Sequence, residues 1–507
     1  MTGREAEPDR SPSPPGGAQA SLGGLDMAAL FSVTVGARLA ATWAGGGFAT
    51  NGIYDDGVYF TSAVRFVHGS WPYRDYLLLH PPGMTLLLAP FAWVGSLLGD
   101  ATGYTLARLA MMVVAGLTTV LIASVAGRWG RASGWVAGLT YALFASSIYA
   151  GSTLFMEGVS SLAAMSALVL LTGGASSKPS WQRVVAAGLL LGLLPVIKVW
   201  NAPIAAVILL TAGRSRLLLA AGSALVSFAG LTLPFLLRDP QAMWRMVVSD
   251  QLGRPRFELN PIAKVANFLG YASDGTTDLH VEGLPLAATA ALVALVGVIV
   301  MLAVRAKVNL VYVVLLVVCV GLVMTSALAL RNYGELFAPW LAVLSGVAAS
   351  FMAGPPRNRS RQTRALIGAV LVLVWLAILA VGAARPVGKP LPVEWLNQHL
   401  DGVGCVVTDD PVVLIATNRL SPQLEAGCPE IWVDVSGRTY DYAAHGQSGR
   451  TDNPVWQRVI YDYLTSADAS VSCRRNTGIS EQTLERLEPA RIGGKSGCDL
   501  FVFAKPR

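Results

Sequence analysis

The chain has 507 residues, of which 53% are hydrophobic and 14% charged, and its mean hydropathy is +0.52. Soluble proteins carry about 25% charged residues, so this chain has too few to cover a water-facing surface. The net charge of +7 does not indicate nucleic-acid binding, because most basic residues stand in short loops between apolar runs. The composition therefore predicts a polytopic membrane protein.

Residues 1–26 are rich in Pro, Gly, Ser and Ala without apolar periodicity, which predicts a disordered cytoplasmic tail. Apolar runs of bilayer-crossing length, about 20 residues, then recur through a predicted transmembrane domain, 27–385. The predicted crossings are eleven: 27–48, 103–127, 132–150, 157–173, 184–197, 199–213, 217–237, 284–304, 308–330, 335–353 and 365–385.

The basic residues between these runs predict the orientation. They form five short clusters: Arg128 and Arg131; Lys178 and Arg183; Arg214 and Arg216; Arg305 and Lys307; and Arg357, Arg359, Arg361 and Arg364. Loops rich in Lys and Arg remain on the cytoplasmic side. We therefore expect a multi-pass plasma-membrane protein with a cytoplasmic N-terminus and an extracytoplasmic C-terminal region.

Two apolar segments are interpreted differently from simple crossings. If the stretch 82–98, from Pro82 to Leu98, crossed the membrane, the basic loop with Arg128 and Arg131 would lie on the outer side. We therefore expect this stretch to be a helix in the outer interface. The pair 184–213 is interrupted by Pro195, Lys198 and Pro203. Broken helices at membrane depth line cavities, so this pair is a candidate for the wall of a site.

From residue 386 the composition becomes more polar, which predicts a small α/β extracytoplasmic domain over 386–507. Strands are expected at Gly404–Val407, Ile431–Val435 and Asp499–Ala504, with a helix at Val455–Leu464. The domain holds four of the five cysteines, and an even number on the outer side fits two disulfides. Chain order favours Cys405–Cys428 and Cys473–Cys498, among three connectivities.

The first outer loop, 49–102, is unusually polar for this protein. Of its adjacent carboxylates, Asp55 suits a general base on a hydroxyl and Asp56 a supporting group or metal ligand. Arg74 and His80 can supply positive charge to a phosphate. The alternative is structural, because Asp-Asp-Gly is a common turn and Arg74 can form a surface ion pair with Asp75.

Other charged residues have two interpretations each. Lys198, in the apolar broken segment, either binds a phosphate or extends its ammonium group to the interface. Glu157 is more often a helix-end charge than a catalytic group. Arg254 and Arg256 contact either a donor phosphate or lipid headgroups, and the headgroup interpretation is favoured.

The stretch 54–59, Tyr-Asp-Asp-Gly-Val-Tyr, resembles the Asp-(Asp/Glu)-x-x-Tyr motif in the first outer loop of GT-C superfamily glycosyltransferases. Gly69–Asp75 and the His-Pro-Pro-Gly at 80–83 resemble two further stretches of one branch, in the same order. That branch contains the dolichyl-phosphate-mannose protein mannosyltransferases and the lipid A aminoarabinose transferases. The layout of 27–385 is also similar, and the family has helices along the membrane in this loop.

The resemblance implies that Asp55 is the catalytic carboxylate and that Asp56 supports it. His80 stands where some relatives have a lysine that contacts the donor phosphate, and Lys198 matches another lysine of the family. Further contacts are expected from Arg74 and Arg331 to the phosphate, and from Tyr59, Tyr73, Asp75 and Tyr333 to the substrate.

Together these features predict an inverting, mannosyltransferase-like enzyme with an all-α GT-C-like membrane fold. It would move a hexose or pentose from a polyprenyl-phosphate donor to a lipid, glycan or protein acceptor of the cell envelope. No cofactor is predicted, with a divalent cation at Asp55 and Asp56 as the alternative. The other candidate functions are a transporter or flippase, suggested by the broken helices, and a non-catalytic envelope assembly protein.

Overall fold

The structure is a computed structural model that describes residues 22–51, 53–173, 179–253, 261–268, 286–326, 330–352, 359–439, 450–473 and 478–503. The described chain is mainly helical, with two small sheets. Some predictions lie outside the described residues: most of the tail 1–26, together with Lys178, Arg254, Arg256 and Arg357.

The described part of the chain starts with a long apolar helix, followed by the elements of the first outer loop. They are α1 (Gly24–Ala44), β1 (Thr50–Asn51), α2 (Tyr54–Val67), α3 (Gly83–Leu98) and α4 (Asp100–Ala126). Helix α1 starts before the predicted position 27 because Asp26 accepts the backbone N–H of Gly23 at 3.0 Å and pairs with Arg131 at 2.7 Å. Helix α2 was not among the elements predicted from the residue pattern.

The next helices are broken where the sequence interrupts them. They are α5 (Arg131–Leu143), α6 (Ala145–Gly151), α7 (Met156–Thr172), α8 (Trp181–Ile197), α9 (Ala202–Leu210) and α10 (Arg214–Leu236). The crossing predicted at 132–150 is not one helix, because the extended backbone of Phe144 separates α5 from α6. Helices α6 and α7 meet at 105°. Helices α8 and α9 are separated at Lys198, whose backbone is also extended.

The later membrane part contains shorter elements between apolar helices. They are α11 (Pro240–Trp244), a π-helical turn (Arg245–Ser249), α12 (Asp250–Leu252), α13 (Pro261–Phe268), α14 (Leu286–Arg305), α15 (Val311–Met324), a 3-10 helix (Arg331–Leu336), α16 (Ala338–Met352) and α17 (Arg359–Ala383). Helix α15 ends earlier than the predicted 330. The 3-10 helix occupies the start of the predicted crossing 335–353.

Within the described residues, four helices are long and apolar enough to cross a bilayer by themselves: Gly24–Ala44, Asp100–Trp129, Arg214–Leu236 and Ala365–Ala383. The bent pair of α6 and α7 is a fifth when taken as one broken span. Shorter apolar helices occupy the other predicted positions, so the count of eleven stays a prediction. Leu218 is 86% exposed and Val226 67% exposed on α10, an apolar face that suits contact with lipid.

The C-terminal segment has α/β structure. Its elements are β2 (Lys389–Pro390), α18 (Val393–His399), β3 (Val406–Thr408), α19 (Val412–Ala416), α20 (Leu420–Glu425), α21 (Val435–Arg438), α22 (Pro454–Leu464), β4 (Ala469–Ser472), α23 (Glu481–Leu487), β5 (Arg491–Lys495) and β6 (Cys498–Val502). Four strands form a sheet in the order β3-β4-β6-β5, with β3 parallel to β4 and the other pairs antiparallel.

The strand predicted at Ile431–Val435 is wrong. Ile431 and Val433 are apolar and buried, as a strand pattern would have them. However, the carboxylate of Asp434 accepts the backbone N–H of Gly437 at 2.6 Å and starts α21. A local cap of this kind competes with strand pairing, and sequence periodicity does not reveal it.

Two disulfides staple the C-terminal segment, Cys405–Cys428 and Cys473–Cys498. This is the pairing that chain order favours. The first closes the stretch that carries α19 and α20, and the second joins the end of β4 to the start of β6.

The C-terminal segment packs directly on the first outer loop. Strand β1 pairs with β2 in antiparallel register, Thr50 opposite Pro390. The carboxylate of Asp100 accepts the backbone N–H of Ser421 at 2.9 Å and its hydroxyl at 2.5 Å. One hydrophobic core contains side chains from α2, α3, β3 and α19. The loop and the C-terminal segment therefore form a single packed unit.

Candidate active site

The two adjacent carboxylates lie in the first turn of α2, where acidic side chains interact favourably with the positive end of the helix dipole. Asp56 is fully buried. One of its oxygens accepts the backbone N–H of Leu154 at 2.8 Å, and the other accepts the hydroxyl of Tyr104 at 3.2 Å. The Asp-Asp-Gly stretch is therefore a helix start rather than an isolated turn.

Arg108 of α4 is the cation beside Asp56, with its Nε 4.0 Å from the carboxylate. The guanidinium also donates to the carbonyl oxygens of Ser152 and Phe48, both at 2.8 Å. Burial raises the pKa of Asp56 to about 7, although Arg108 and the hydrogen-bond donors act in the opposite direction. These contacts tie the start of α2 to α4 and to the α6–α7 turn.

Asp55 faces a different environment from Asp56. Its side chain is partly exposed, and its charge acts on both Tyr59 and Lys198. Burial, followed by the charge of Asp55, raises the pKa of the Tyr59 hydroxyl well above its ordinary value. Asp55 and Lys198 are far apart in the sequence, and the 80–83 loop connects their elements: it contacts Tyr59 of α2 at His80 and Ile197 of α8 at Gly83.

Lys198 stands in the break between α8 and α9. Its ammonium nitrogen lies 2.6 Å from Oε1 of Glu157, and the lysine side chain is 13% exposed. The ammonium group also lies 4.4 Å from the ring centroid of Tyr333 and 5.3 Å from that of Trp200. A cation over two aromatic faces and against a carboxylate remains charged in a low-dielectric setting.

Glu157 and Asn332 complete the surroundings of Lys198. Glu157 is 1% exposed in the first turn of α7, and its second oxygen accepts Nδ2 of Asn332 at 2.9 Å. Sequence reasoning favoured a helix-end role for Glu157 and did not select Asn332 or Trp200. The carboxylate of Glu157 itself could have predicted this pair, because a charged side chain in an otherwise apolar run needs a partner of opposite charge, such as Lys198.

The His80 loop abuts this group of residues. The His80 ring makes an edge contact with Tyr59, with centroids 5.3 Å apart, and its carbonyl accepts the Tyr73 hydroxyl at 2.7 Å. A Cβ atom on Gly83 would lie 2.8 Å from the Cα of Ile197, so glycine permits the loop to pack on the end of α8. This packing brings the 80–83 stretch to the residue beside Lys198.

The other predicted site residues are more dispersed. Arg331 is buried, with its guanidinium 5.0 Å from the ring centroid of Tyr149. Arg74 and Asp75 form an ion pair at 2.7 Å on the surface, with side chains 41% and 29% exposed. The hydrogen bond from Arg74 lowers the pKa of Asp75. Tyr73 is buried and makes an edge contact with Phe235 of α10. Arg74, Asp75 and Tyr73 belong to the first loop, whereas Arg331 directly precedes Asn332 and Tyr333, the residues that contact Glu157 and Lys198.

A divalent cation does not fit the Asp56 carboxylate, which already accepts two hydrogen bonds and lies beside a buried guanidinium. Within the ranges that the structure describes, no group of three or more His, Cys, Asp or Glu side chains is arranged to hold a metal ion.

The fold resembles that of solved membrane glycosyltransferases. ArnT from Cupriavidus metallidurans in the apo state matches with a TM-score of 0.59 and 14% identity, over 94% of this chain and 97% of that one. The chain has the GT-C glycosyltransferase fold. The same enzyme bound to undecaprenyl phosphate matches with a TM-score of 0.58 and 14% identity, over 96% and 99%.

A second GT-C structure, the oligosaccharyltransferase of Archaeoglobus fulgidus in complex with Zn and sulfate, matches with a TM-score of 0.53 and 12% identity. That match covers 88% of this chain and 67% of the oligosaccharyltransferase. No protein-family model and no curated protein sequence matches the chain. The TM-scores show a shared fold, and matches at identities this low show the fold alone.

Proposed function

We propose that this protein is a glycosyltransferase that takes a sugar from a polyprenyl-phosphate donor and transfers it to a cell-envelope acceptor on the outer face of the membrane. One observation carries the proposal: inside a GT-C fold, the 80–83 loop contacts the helix of Asp55 through His80 and Tyr59, and it packs at Gly83 on Ile197, the residue before Lys198. A carboxylate and a buried cation at one site suit a reaction that removes a proton and releases a phosphate.

The similar structures support the choice of donor. ArnT has been solved bound to undecaprenyl phosphate, a polyprenyl phosphate. In this chain, the exposed apolar surfaces of the membrane helices provide space for such a tail, while Lys198 provides a charge that a phosphate can contact.

The proposed reaction is a single displacement with inversion. Asp55 takes the proton from an acceptor hydroxyl, and the hydroxyl oxygen attacks the anomeric carbon of the donor sugar. The bond from that carbon to the phosphate oxygen breaks, and polyprenyl phosphate leaves with the electron pair. The ammonium group of Lys198, assisted by His80 and Arg331, compensates the negative charge that develops on the phosphate.

Aromatic residues around Lys198 are proposed to hold the sugar. Tyr333 and Trp200 lie at 4.4 Å and 5.3 Å from the ammonium group, with ring centroids 5.9 Å apart. Flat aromatic faces can pack against the C–H faces of a pyranose or furanose ring while Lys198 remains beside the phosphate. Tyr59, between Asp55 and His80, is proposed to contact the acceptor side.

The membrane topology is part of the proposal. The basic loops favour a cytoplasmic N-terminus, and the disulfides favour an extracytoplasmic C-terminal segment over 386–507, because disulfides persist in oxidising compartments. The transmembrane part would extend over 27–385. Asp55, which lies in the unit shared with the C-terminal segment, would then face the outer side.

The test is sugar release from a panel of radiolabelled polyprenyl-phosphate sugars by the purified protein, with envelope lipid and glycan fractions as acceptors. Wild type is compared with Asp55→Asn, and with Asp462→Asn as a control for an exposed carboxylate. We expect wild type and the control to consume one donor, and Asp55→Asn to lose at least about a hundredfold in rate. Wild type that moves donor across proteoliposomes without consuming it would instead support a transporter.

A further inference from the structure

Asp55 stands between two residues that are anchored to different parts of the protein. On one side, Asp56 is held by Leu154 and Tyr104. On the other side, the hydroxyl of Tyr54 donates to Oδ1 of Asp434 at 3.0 Å. The second anchor belongs to the C-terminal segment, whereas the first belongs to the membrane part.

The Tyr54 anchor is built from several interactions. The backbone N–H of Ser436 donates to the Tyr54 hydroxyl at 2.8 Å, so this oxygen both accepts and donates. Asp434 is in turn held by the backbone N–H of Gly437 at 2.6 Å, in the cap that starts α21. Burial and the charge of Asp434 raise the pKa of Tyr54 well above its ordinary value, so the hydroxyl keeps the proton that it donates.

A close contact with the C-terminal segment lies at Gly57, two residues after Asp55. A Cβ atom on Gly57 would lie 2.8 Å from both the backbone nitrogen and Cγ2 of Val412. Helix α19 of the C-terminal segment therefore sits against the same helical turn that carries Asp55. The hydrogen bonds and this contact constrain the start of α2 from the C-terminal side.

We propose that Asp434 is a positioning residue for the transfer reaction: through Tyr54, the C-terminal segment holds the first turn of α2 so that Asp55 points at the acceptor. This inference rests on the proposed function for its catalytic consequence, but its structural part does not. Without the anchor, the first turn of α2 frays, and Asp55 spends less time in the productive orientation. A displacement of about 1 Å at a catalytic group can lower the rate about a hundredfold.

The experiment compares four variants of the full-length protein. Tyr54→Phe and Asp434→Ala remove the hydrogen bond, whereas Asp434→Asn retains an oxygen at the Oδ1 position. Ser421→Ala is the matched control, because it removes a different contact between the C-terminal segment and the loop, at Asp100.

Two readouts are measured for each variant: kcat and KM for the donor, and hydrogen exchange of backbone amides in the first turns of α2. We expect Tyr54→Phe and Asp434→Ala to lower kcat about tenfold to a hundredfold, with the donor KM within about twofold. Amides of this turn should exchange about tenfold faster or more in both variants. Asp434→Asn should restore most of the rate, and Ser421→Ala should resemble wild type in both readouts.

Each other outcome has a defined meaning. Unchanged exchange in Tyr54→Phe and Asp434→Ala would overturn the inference, whatever the activity. Equal losses in Ser421→Ala would show general docking rather than positioning, and an Asp434→Asn protein as impaired as Asp434→Ala would show a role for the charge instead. If wild type transfers no sugar, the proposed function fails, while the exchange data still decide whether Asp434 positions α2.

Discussion

The Lys198–Glu157 pair gives the sharpest test of how the site combines stability with donor binding. The two groups lie 2.6 Å apart and are 13% and 1% exposed. Removing one member of a buried pair leaves an uncompensated charge and costs about 3–5 kcal/mol. We therefore expect that large a loss in the free energy of unfolding for Lys198→Met or Glu157→Gln alone.

The double variant Lys198→Met/Glu157→Gln should lose far less than the sum of the two single losses, because neither charge remains. In wild type, the side-chain amide of Asn332 donates to Glu157 at 2.9 Å, and a glutamine at position 157 retains an oxygen that can accept this hydrogen bond. The expected coupling between the two positions is about 3 kcal/mol. It is measured from denaturant-induced unfolding of the four proteins in one detergent.

The two single variants, which should lose similar stability, should have opposite effects on donor binding. If Lys198 contacts the phosphate, Lys198→Met loses a charge-assisted hydrogen bond of about 1.5–3 kcal/mol, which corresponds to roughly a ten- to hundredfold weaker Kd. Glu157→Gln removes a competitor for the same ammonium group and should tighten binding. Additive unfolding losses, or equally weakened binding in both single variants, would refute this reasoning.

Three further predictions follow from the geometry. Burial raises the pKa of Asp56 from 3.8 to about 7. Protonated Asp56 therefore contributes fully to the stability of the folded protein below pH 4, and this contribution is lost as the pH rises through 7. Asp56→Asn should show a smaller fall in thermal stability between pH 5 and 8 than wild type. Gly57→Ala places a methyl group against backbone and should cost about 1–3 kcal/mol in unfolding experiments, whereas Gly222→Ala, which meets no atom within 4 Å, should be neutral or mildly stabilising. Replacing Cys405 and Cys428 by serine should cost about 3 kcal/mol, given a sequence separation of 23, and reductant should then have a smaller effect on the melting temperature.

Composition predicted much of the helical membrane part, while the site residues stay a prediction. Most apolar runs located a helix, because a membrane helix must satisfy its own backbone hydrogen bonds, but the run 132–150 is two helices and α15 ends at Met324. Lys198 marks the break between α8 and α9, whereas Pro195 lies within α8. The polar stretch at 54–59 and Lys198 are separate features of the sequence, and the 80–83 loop contacts both of their helices.

The sequence did not predict features that depend on distant contacts. Helix α2 starts with two acidic residues and includes Gly57, so local propensity did not distinguish a helix from a turn; burial against α4 and α19 determines the outcome. The apolar run at Ile431–Val435 has the pattern of a strand, but the cap formed by Asp434 starts a helix there instead. The partnership of Glu157 with Asn332 joins two helical segments that no local pattern relates.

The pairing of β1 with β2 has a consequence for biosynthesis. The partner of Thr50 is Pro390, which leaves the ribosome only after the whole membrane part has been made. At roughly 5–20 residues per second, the first loop waits tens of seconds for the strand that completes it. A nascent chain that stalls before residue 390 would therefore be inserted in the membrane with an unfinished first loop.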